Sequence, residues 1–126
     1  MCKAAKKTEG YINPAKSGWI KKDARLAIYL RDSFRCLYCC ADLHDAAPFD
    51  ITLDHVVAAV DGGSNKPSNL VTACRTCNCS RQDKPVSRFA SPEALKDIRR
   101  NTRRVMTRYR KMAKALIAGT TGDENC

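Results

Sequence analysis

The sequence predicts an α+β fold in which a strand, a loop, a second strand and a helix are held together by a bound metal and flanked by further helices. Two stretches rich in β-branched residues, 51–57 and 70–73, predict an antiparallel hairpin. Two Cys-x-x-Cys pairs bracket this hairpin, and amphipathic segments precede and follow it. At 126 residues the chain is about one domain long, so we expect one compact unit.

The region before the hairpin is expected to contain an arm and a short helix. Residues 1–17 are rich in Lys, Ala and Gly and lack apolar periodicity, which predicts a flexible basic arm. From Trp19 to Ser33, apolar residues recur near helical spacing with charges between them. This pattern predicts a short amphipathic helix that leads into the first cysteine pair, within a central domain over residues 18–90.

The hairpin is predicted to close through a turn and to continue into a helix. Its two strands are separated by Gly62-Gly63-Ser64-Asn65, residue types that favour turns. The segment 74–78 follows the second strand and opens a short polar helix. We expect this helix to end near Pro85, because proline lacks the backbone N–H that a helix needs.

The last element is predicted to be one long basic helix over residues 91–118, followed by a flexible tail over 119–126. Ser91 is a candidate N-cap, Pro92 suits the first helical position, and Gly119 is a typical stop. Basic residues surround one apolar stripe. The stripe consists of Leu95, Ile98, Thr102, Val105, Tyr109, Met112 and Leu116. Packing on the domain, contact with DNA and a homodimer formed through this helix all remain open.

Composition points to a polyanionic partner. The chain has 23 Lys and Arg against 13 Asp and Glu, a formal net charge of +10. Such an excess favours binding to nucleic acid, although a merely basic soluble protein would have the same composition. Neither a long apolar run nor a secretory leader is present in the sequence, so we expect a cytoplasmic protein without a membrane partner.

The two cysteine pairs predict a structural zinc site. Cys36 and Cys39 precede the hairpin, and Cys74 and Cys77 follow it, so both pairs can converge on one ion. In a reducing compartment, clustered pairs of this kind are metal ligands rather than disulfides. Four thiolates close the tetrahedral coordination of zinc, which makes the site structural. The neighbouring Cys40 or Cys79 could replace one of the four.

A second group of residues carries a more specific pattern. Asp54-His55 ends the first predicted strand, Asn69 precedes the second, and Asn78 directly follows the second cysteine pair. Together with the cysteine pairs and the Gly-Gly turn, this run resembles the HNH endonuclease family, in the variant whose final His is Asn. The resemblance extends from the first helix to Pro85 and is strongest to small phage and bacterial members. It implies a treble-clef-like ββα-metal core, DNA as the substrate, and Mg²⁺ or Mn²⁺ as the catalytic ion.

The resemblance also implies a role for each of these residues. His55 would be the general base, and an ordinary His pKa of about 6.5 leaves it largely neutral at physiological pH. Asp54 and Asn78 would hold the catalytic ion through oxygen atoms, which suit a hard cation such as magnesium. Asn69 would brace the loop between the strands and keep His55 oriented.

The adjacency of Asp54 and His55 creates a geometric conflict. Successive side chains of a strand point to opposite faces, so both cannot face one cleft within a regular strand. We therefore expect the pair at the frayed end of the strand or at a β-bulge.

Arginines near the predicted site are candidates for nucleic-acid contact. Arg81 lies three positions after Asn78, where its guanidinium could grip a phosphate. Arg75 is a second candidate, with the alternative role of offsetting the thiolate charge. Arg99 and Arg103, on the long helix, are expected to neutralise phosphates without reading base sequence.

The favoured function is hydrolysis of DNA phosphodiester bonds by a metal-dependent endonuclease. The alternative is a non-catalytic zinc-binding module that docks on DNA, because a four-Cys knuckle and basic helices suffice for that role. In that case Asp54, His55 and Asn78 would have no catalytic role.

Overall fold

The computed structural model describes residues 19–82 and 84–125, so the predicted basic arm lies outside the described residues. The elements in chain order are α1 (Lys22–Arg31), β1 (Ile51–His55), β2 (Leu70–Cys74), α2 (Arg75–Arg81), α3 (Val86–Phe89), α4 (Pro92–Thr102) and α5 (Thr107–Asn125). Two short 3-10 turns, Ala59–Asp61 and Pro67–Asn69, lie between the strands. This arrangement of a small sheet flanked by helices confirms the predicted α+β fold.

The two strands form a regular antiparallel hairpin. Residues pair one to one from Ile51↔Cys74 to His55↔Leu70. The register therefore leaves no room for the β-bulge offered as one solution for Asp54 and His55. The other expectation matches the structure, because His55 is the last residue of β1.

The sheet packs on α1, and α1 packs on α5. A core cluster joins apolar side chains of α1, both strands and the segment before α1: Ile20, Ile28, Tyr29, Leu53 and Leu70. A second cluster joins Ala27 of α1 to Tyr109 and Ala113 of α5. The spacing of Tyr109 and Ala113 places them on one face of α5, so this face is occupied within the chain.

Asp32, at the end of α1, ties three elements together. Its carboxylate accepts hydrogen bonds from Arg31 (Nε at 2.8 Å and Nη2 at 3.0 Å), from the Thr72 amide at 2.9 Å and from Asn101 Nδ2 at 3.0 Å. Both charged side chains are fully buried. A buried ion pair is tolerated when its hydrogen-bonding capacity is satisfied in this way. Asp32 thereby connects α1 to β2 and α4.

The prediction of one long C-terminal helix is wrong, because the segment divides into α4 and α5. Ser91 does cap α4, accepting a hydrogen bond from the Ala94 amide at 3.1 Å. At the other end of α4 the Thr102 hydroxyl donates to the Ile98 carbonyl at 2.7 Å, and the Asn101 side chain is held by Asp32. Side-chain bonds of this type compete with helix continuation.

The break changes which residues are buried. Val105, predicted in the apolar stripe, is 77% exposed, and Met112 and Leu116 are also exposed. Tyr109, which was also predicted in the stripe, is buried together with Ala113, because the turn lets α5 fold back against α1. The α5 backbone also continues to Asn125, past the predicted stop at Gly119 and through most of the predicted tail. No helix in the described parts of the chain has the length and apolar character to cross a membrane.

Candidate functional site

The four predicted zinc ligands converge in the structure. Cys36 and Cys39 come from the loop after α1, Cys74 ends β2, and Cys77 lies in the first turn of α2. All four Sγ atoms lie within 4.8 Å of one another, and the Cys39 and Cys74 sulfurs are 3.8 Å apart. Tetrahedral zinc with bonds of about 2.3 Å would separate its sulfurs by about 3.8 Å. The cluster therefore fits a structural zinc ion.

Backbone amides and burial also shape this cluster. The amide of Cys39 points to Cys36 Sγ at 3.5 Å, and the amide of Cys77 points to Cys74 Sγ at 3.3 Å. Burial raises the pKa of Cys36 to about 11, although neighbouring amides act in the opposite direction. A thiol in this environment is ionised at neutral pH when a cation replaces its proton. Cys40 is exposed and is not part of the four-Cys group.

Asp54 is buried beside the zinc knuckle and forms an ion pair. Its Oδ2 atom accepts hydrogen bonds from the Tyr38 hydroxyl and from Arg81 Nη1, the latter at 2.7 Å. The other oxygen, Oδ1, has no hydrogen-bond partner among the described residues. Asp54 therefore has one oxygen committed to the protein and one oxygen available for a further ligand.

Arg81 is buried, which corrects its predicted role as a phosphate contact. The residue is only 3% exposed. Besides Asp54, its guanidinium donates to the carbonyl oxygens of His55, of Val56 at 2.8 Å and of Lys84 at 2.9 Å. Burial opposes the charged form, but the hydrogen bond and charge of Asp54 outweigh it and raise the pKa of Arg81. Arg81 thus anchors Asp54 and the backbone that follows β1.

Tyr38 is a member of this network that the sequence analysis missed. It lies between the two cysteines of the first pair, and its ring packs edge-on against Phe89 at 5.1 Å. Burial, together with the Asp54 carboxylate, raises the pKa of Tyr38 far above its ordinary value. The hydroxyl therefore remains a donor to Asp54, and its only signal in the sequence was an aromatic residue inside a metal knuckle.

His55 is half-buried and faces partners different from those of Asp54. Its Nε2 atom lies 2.8 Å from the Asn65 Oδ1 atom, and its ring lies 5.3 Å from the Trp19 ring. Neither Asn65 nor Trp19 was predicted as a site residue. The separate partners agree with a regular strand, in which adjacent side chains point to opposite faces.

Asn69 is buried and contacts the backbone of the loop that joins the strands. Its Oδ1 atom accepts a hydrogen bond from the Val57 amide at 2.8 Å. Its Nδ2 atom donates to the carbonyl oxygens of Val57 at 3.0 Å and Ser64 at 2.9 Å. These three bonds fix the two ends of the loop relative to each other, beginning two residues after His55.

Asn78 approaches β1 from α2. Its Nδ2 atom donates to Thr52 Oγ1 at 2.9 Å and to the Leu53 carbonyl at 3.3 Å. Its Oδ1 atom has no hydrogen-bond partner among the described residues. The structure therefore places Asn78 against the strand residues that precede Asp54, with one amide oxygen available.

The remaining predicted contacts lie on other surfaces. Arg75 is partly exposed at the start of α2, while Arg99 and Arg103 are exposed on α4 and at its end. Further exposed basic residues of α4, α5 and the turn between them are Lys96, Arg100, Arg104, Arg108, Arg110, Lys111 and Lys114. The basic character of this C-terminal region is therefore accessible, although it is divided between two helices.

Comparison with known protein families finds a match for the segment that contains this site. Residues 36–92 match the family model described as HNH endonuclease. No curated protein and no solved structure matches the chain. The matched segment contains the four cysteines, both strands, Asp54, His55, Asn69 and Asn78. Residues 36–92 are therefore similar to the HNH endonuclease family.

Proposed function

We propose that this protein is a metal-dependent endonuclease that hydrolyses phosphodiester bonds of DNA. The observation that carries the proposal is that a carboxylate, an imidazole and an amide lie at the end of β1, within the segment that matches the HNH endonuclease model. Asp54 and His55 are the last two residues of the strand, and Asn78 is bonded to the strand at Leu53. A carboxylate oxygen and an amide oxygen would hold a cation, and the imidazole at the strand end would be a base.

Asp54 and Asn78 are the residues that would hold the catalytic ion. Among the described residues neither Oδ1 atom has a hydrogen-bond partner, while the other polar atom of each side chain is held by hydrogen bonds. One anionic and one neutral oxygen suit magnesium or manganese, which retain several waters and bind substrate phosphate. When bound, such an ion neutralises the charge that develops on the phosphate during hydrolysis.

His55 is proposed as the general base. A water oxygen attacks the phosphorus, its proton passes to the imidazole, and the bond between phosphorus and the leaving ester oxygen breaks. Neutral imidazole is required for this transfer, because only this form has a nitrogen lone pair that can accept the proton. Arg81 binds the carbonyl oxygen of His55, which fixes the strand end that carries the base.

Arg99 and Arg103 are proposed to contact DNA phosphates, and Arg75 to assist near the knuckle. Exposed guanidiniums gain affinity by releasing counterions, with a slope of about −0.9 in log affinity against log salt for each phosphate. Replacing both Arg99 and Arg103 by Ala should therefore flatten this slope by about 2. An unchanged slope would remove these two residues from the interface.

The proposed activity is tested by incubating zinc-loaded protein with plasmid DNA, with and without Mg²⁺ or Mn²⁺. We expect metal-dependent cutting that falls on the order of 100-fold or more in His55→Ala. His44→Ala is the matched control, because His44 is the only other histidine, is exposed and pairs with Asp42. Equal cutting by His55→Ala and His44→Ala would exclude His55 as the base.

One observation favours the alternative function, a non-catalytic zinc-binding module. The ion pair of Asp54 with Arg81 would also stabilise the fold of a protein that never binds a catalytic ion. This alternative predicts salt-dependent DNA binding without cutting under any divalent metal. Retained plasmid topology in the presence of Mg²⁺ and Mn²⁺, with DNA bound, would favour it over the endonuclease.

A further inference from the structure

Asn65 makes the one side-chain hydrogen bond to the imidazole of His55 in the described parts of the chain. Its Oδ1 atom lies 2.8 Å from His55 Nε2. A carboxamide oxygen can only accept a hydrogen bond, so this contact places a hydrogen on Nε2. Neutral imidazole carries one N–H, and Nδ1 is consequently the nitrogen with a lone pair.

The position of Asn65 is set by the loop that carries it. Asn69 holds the carbonyl of the preceding residue, Ser64, at 2.9 Å, and the Lys66 amide points to Ser64 Oγ at 3.3 Å. Gly63 packs so closely on Val57 that an added Cβ would lie 1.7 Å from the Val57 carbonyl oxygen. These contacts on both sides of Asn65 leave little freedom for the loop to move it away from His55.

The imidazole is also held from a second direction. The Trp19 ring lies 5.3 Å from it, tilted by 32°, and the guanidinium of Arg25 lies over the Trp19 ring at 5.5 Å. A ring restrained by an aromatic neighbour and by a hydrogen bond at one nitrogen presents its other nitrogen in a defined direction. No hydrogen bond from a described residue reaches His55 Nδ1.

We propose that Asn65 is a positioning residue that holds the hydrogen on Nε2 of His55 and thereby makes Nδ1 the atom that accepts the proton from water. This inference rests on the proposed function of His55 as a base. After proton transfer Nδ1 also carries a hydrogen, and Asn65 continues to accept from Nε2, so the contact persists through the reaction. The amide orients the ring without adding a negative charge beside it.

The hydrogen positions can be measured without DNA or a catalytic metal. Long-range ¹H–¹⁵N correlation spectra of zinc-loaded protein at about pH 8 distinguish the two neutral forms of histidine, and His44→Gln assigns the signals because the chain has two histidines. We expect the Nε2–H form for His55, and a mixture of both forms in Asn65→Ala. A wild-type Nδ1–H form, or an unchanged spectrum in Asn65→Ala, would overturn the role of Asn65 whether or not the protein cuts DNA.

Kinetics provide the second test, with Ser68→Ala as a control in the same loop because Ser68 is also exposed. Asn65→Ala should lower kcat about tenfold with KM changed less than about threefold, since orientation of the base matters most in the transition state. Ser68→Ala should match the wild type. Equal kcat values for Asn65→Ala and Ser68→Ala would contradict the proposal.

An isosteric variant tests the hydrogen-bond acceptor itself. Asn65→Asp keeps an oxygen acceptor for Nε2–H, so its spectrum should show the Nε2–H form expected for the wild type, unlike that of Asn65→Ala. A mixture of both forms in Asn65→Asp would show that this side-chain oxygen does not hold the hydrogen on Nε2. If the wild type cuts no DNA, the proposed function fails and the spectra alone decide the role of Asn65.

Discussion

Asp32 and Asp54 are both buried aspartates that pair with an arginine at similar distances, 2.8 Å for Arg31–Asp32 and 2.7 Å for Arg81–Asp54. Around Asp32, both oxygens accept two hydrogen bonds each. Asp54 accepts two hydrogen bonds from described residues, and both go to the same oxygen, Oδ2. The comparison separates a carboxylate that completes a structural network from one that retains an oxygen for another ligand.

The two carboxylates also differ in their exposure and in the residues that they bind. The Asp32 side chain is 0% exposed, whereas that of Asp54 is 11% exposed. Asp32 binds residues distant in sequence, Thr72 and Asn101, and so closes the fold. Asp54 binds Tyr38 and Arg81, the second of which also fixes the backbone beside His55. Burial of an ion pair is therefore not by itself a sign of either structure or function.

Removal of zinc should have the largest effect, because the knuckle supports both carboxylates. The Leu37 amide bonds the Thr72 carbonyl at 3.0 Å on the Asp32 side, and Tyr38 bonds Asp54. Binding of structural zinc contributes on the order of 10 kcal/mol in small domains, so Cys36→Ser or chelation should abolish cooperative unfolding.

Elemental analysis and thermal melts followed by circular dichroism measure this effect. The wild type should contain one zinc per chain. Cys40→Ser is the control, since Cys40 is exposed and outside the four-Cys group. A normal melt in zinc-free Cys36→Ser would mean that the knuckle does not support the fold.

Asp32→Asn should have the next largest effect, about 3 kcal/mol or more of destabilisation. The variant leaves Arg31 charged and buried without its counter-ion. Urea unfolding measures the loss, and Asp97→Asn is the matched control because its pair with Arg100 is partly exposed. The control should lose less than about 1 kcal/mol. Similar losses of unfolding free energy in the two variants would mean that the Asp32 network stabilises the fold no more than a surface ion pair does.

Tyr38→Phe should have a smaller effect, about 1 to 2 kcal/mol, because it removes the hydrogen bond to Asp54 and a longer one from Arg81 Nη1 at 3.4 Å. Burial and Asp54 raise the pKa of Tyr38 above the value of about 10 expected in the unfolded chain. Its contribution is therefore complete below about pH 10 and is lost as pH rises further. The wild type should lose stability above pH 10 more steeply than Tyr38→Phe does.

The pKa of Tyr109 is shifted in the direction opposite to that of Tyr38. The hydrogen bond from Arg104 lowers the pKa of Tyr109, so its contribution increases with pH once the hydroxyl ionises. Tyr109→Phe should steepen the alkaline loss of stability, whereas Tyr38→Phe should flatten it. Parallel pH profiles for the two variants, followed by urea unfolding between pH 8 and 11, would contradict the assigned environment of Tyr38.

The local parts of this fold could be predicted from the sequence. β-Branched residues and a second apolar run predicted the hairpin, the cysteine spacing predicted the four-Cys cluster, and Ser91 predicted the start of α4. Each of these signals acts through neighbours in the chain or through one bound ion. The resemblance to the HNH family, carried by Asp54, His55, Asn69 and Asn78, was confirmed by the family match over residues 36–92.

The parts that could not be predicted depend on partners far apart in sequence. The break after α4 involves Asn101, which is held by Asp32 sixty-nine positions away. Arg81 was expected to contact a phosphate because it lies three positions after Asn78, but Asp54 and three backbone carbonyls hold it in the interior. Asn65 lies in a turn, where asparagine is common for reasons of local backbone conformation. Its contact with His55 therefore has no separate signal in the sequence.

The role of Asp54 as the functional carboxylate can be measured as the rate of Mg²⁺-dependent plasmid cutting by Asp54→Asn and Asp32→Asn, each at a temperature where it is folded and holds zinc. Removing the charge that would hold the catalytic ion should cost on the order of 100-fold or more in Asp54→Asn. Asp32→Asn, although less stable, should cut within about threefold of the wild type, because it acts on folding and not on the transition state. Cutting by Asp54→Asn at or above the rate of Asp32→Asn would contradict the assignment of Asp54 as the functional carboxylate.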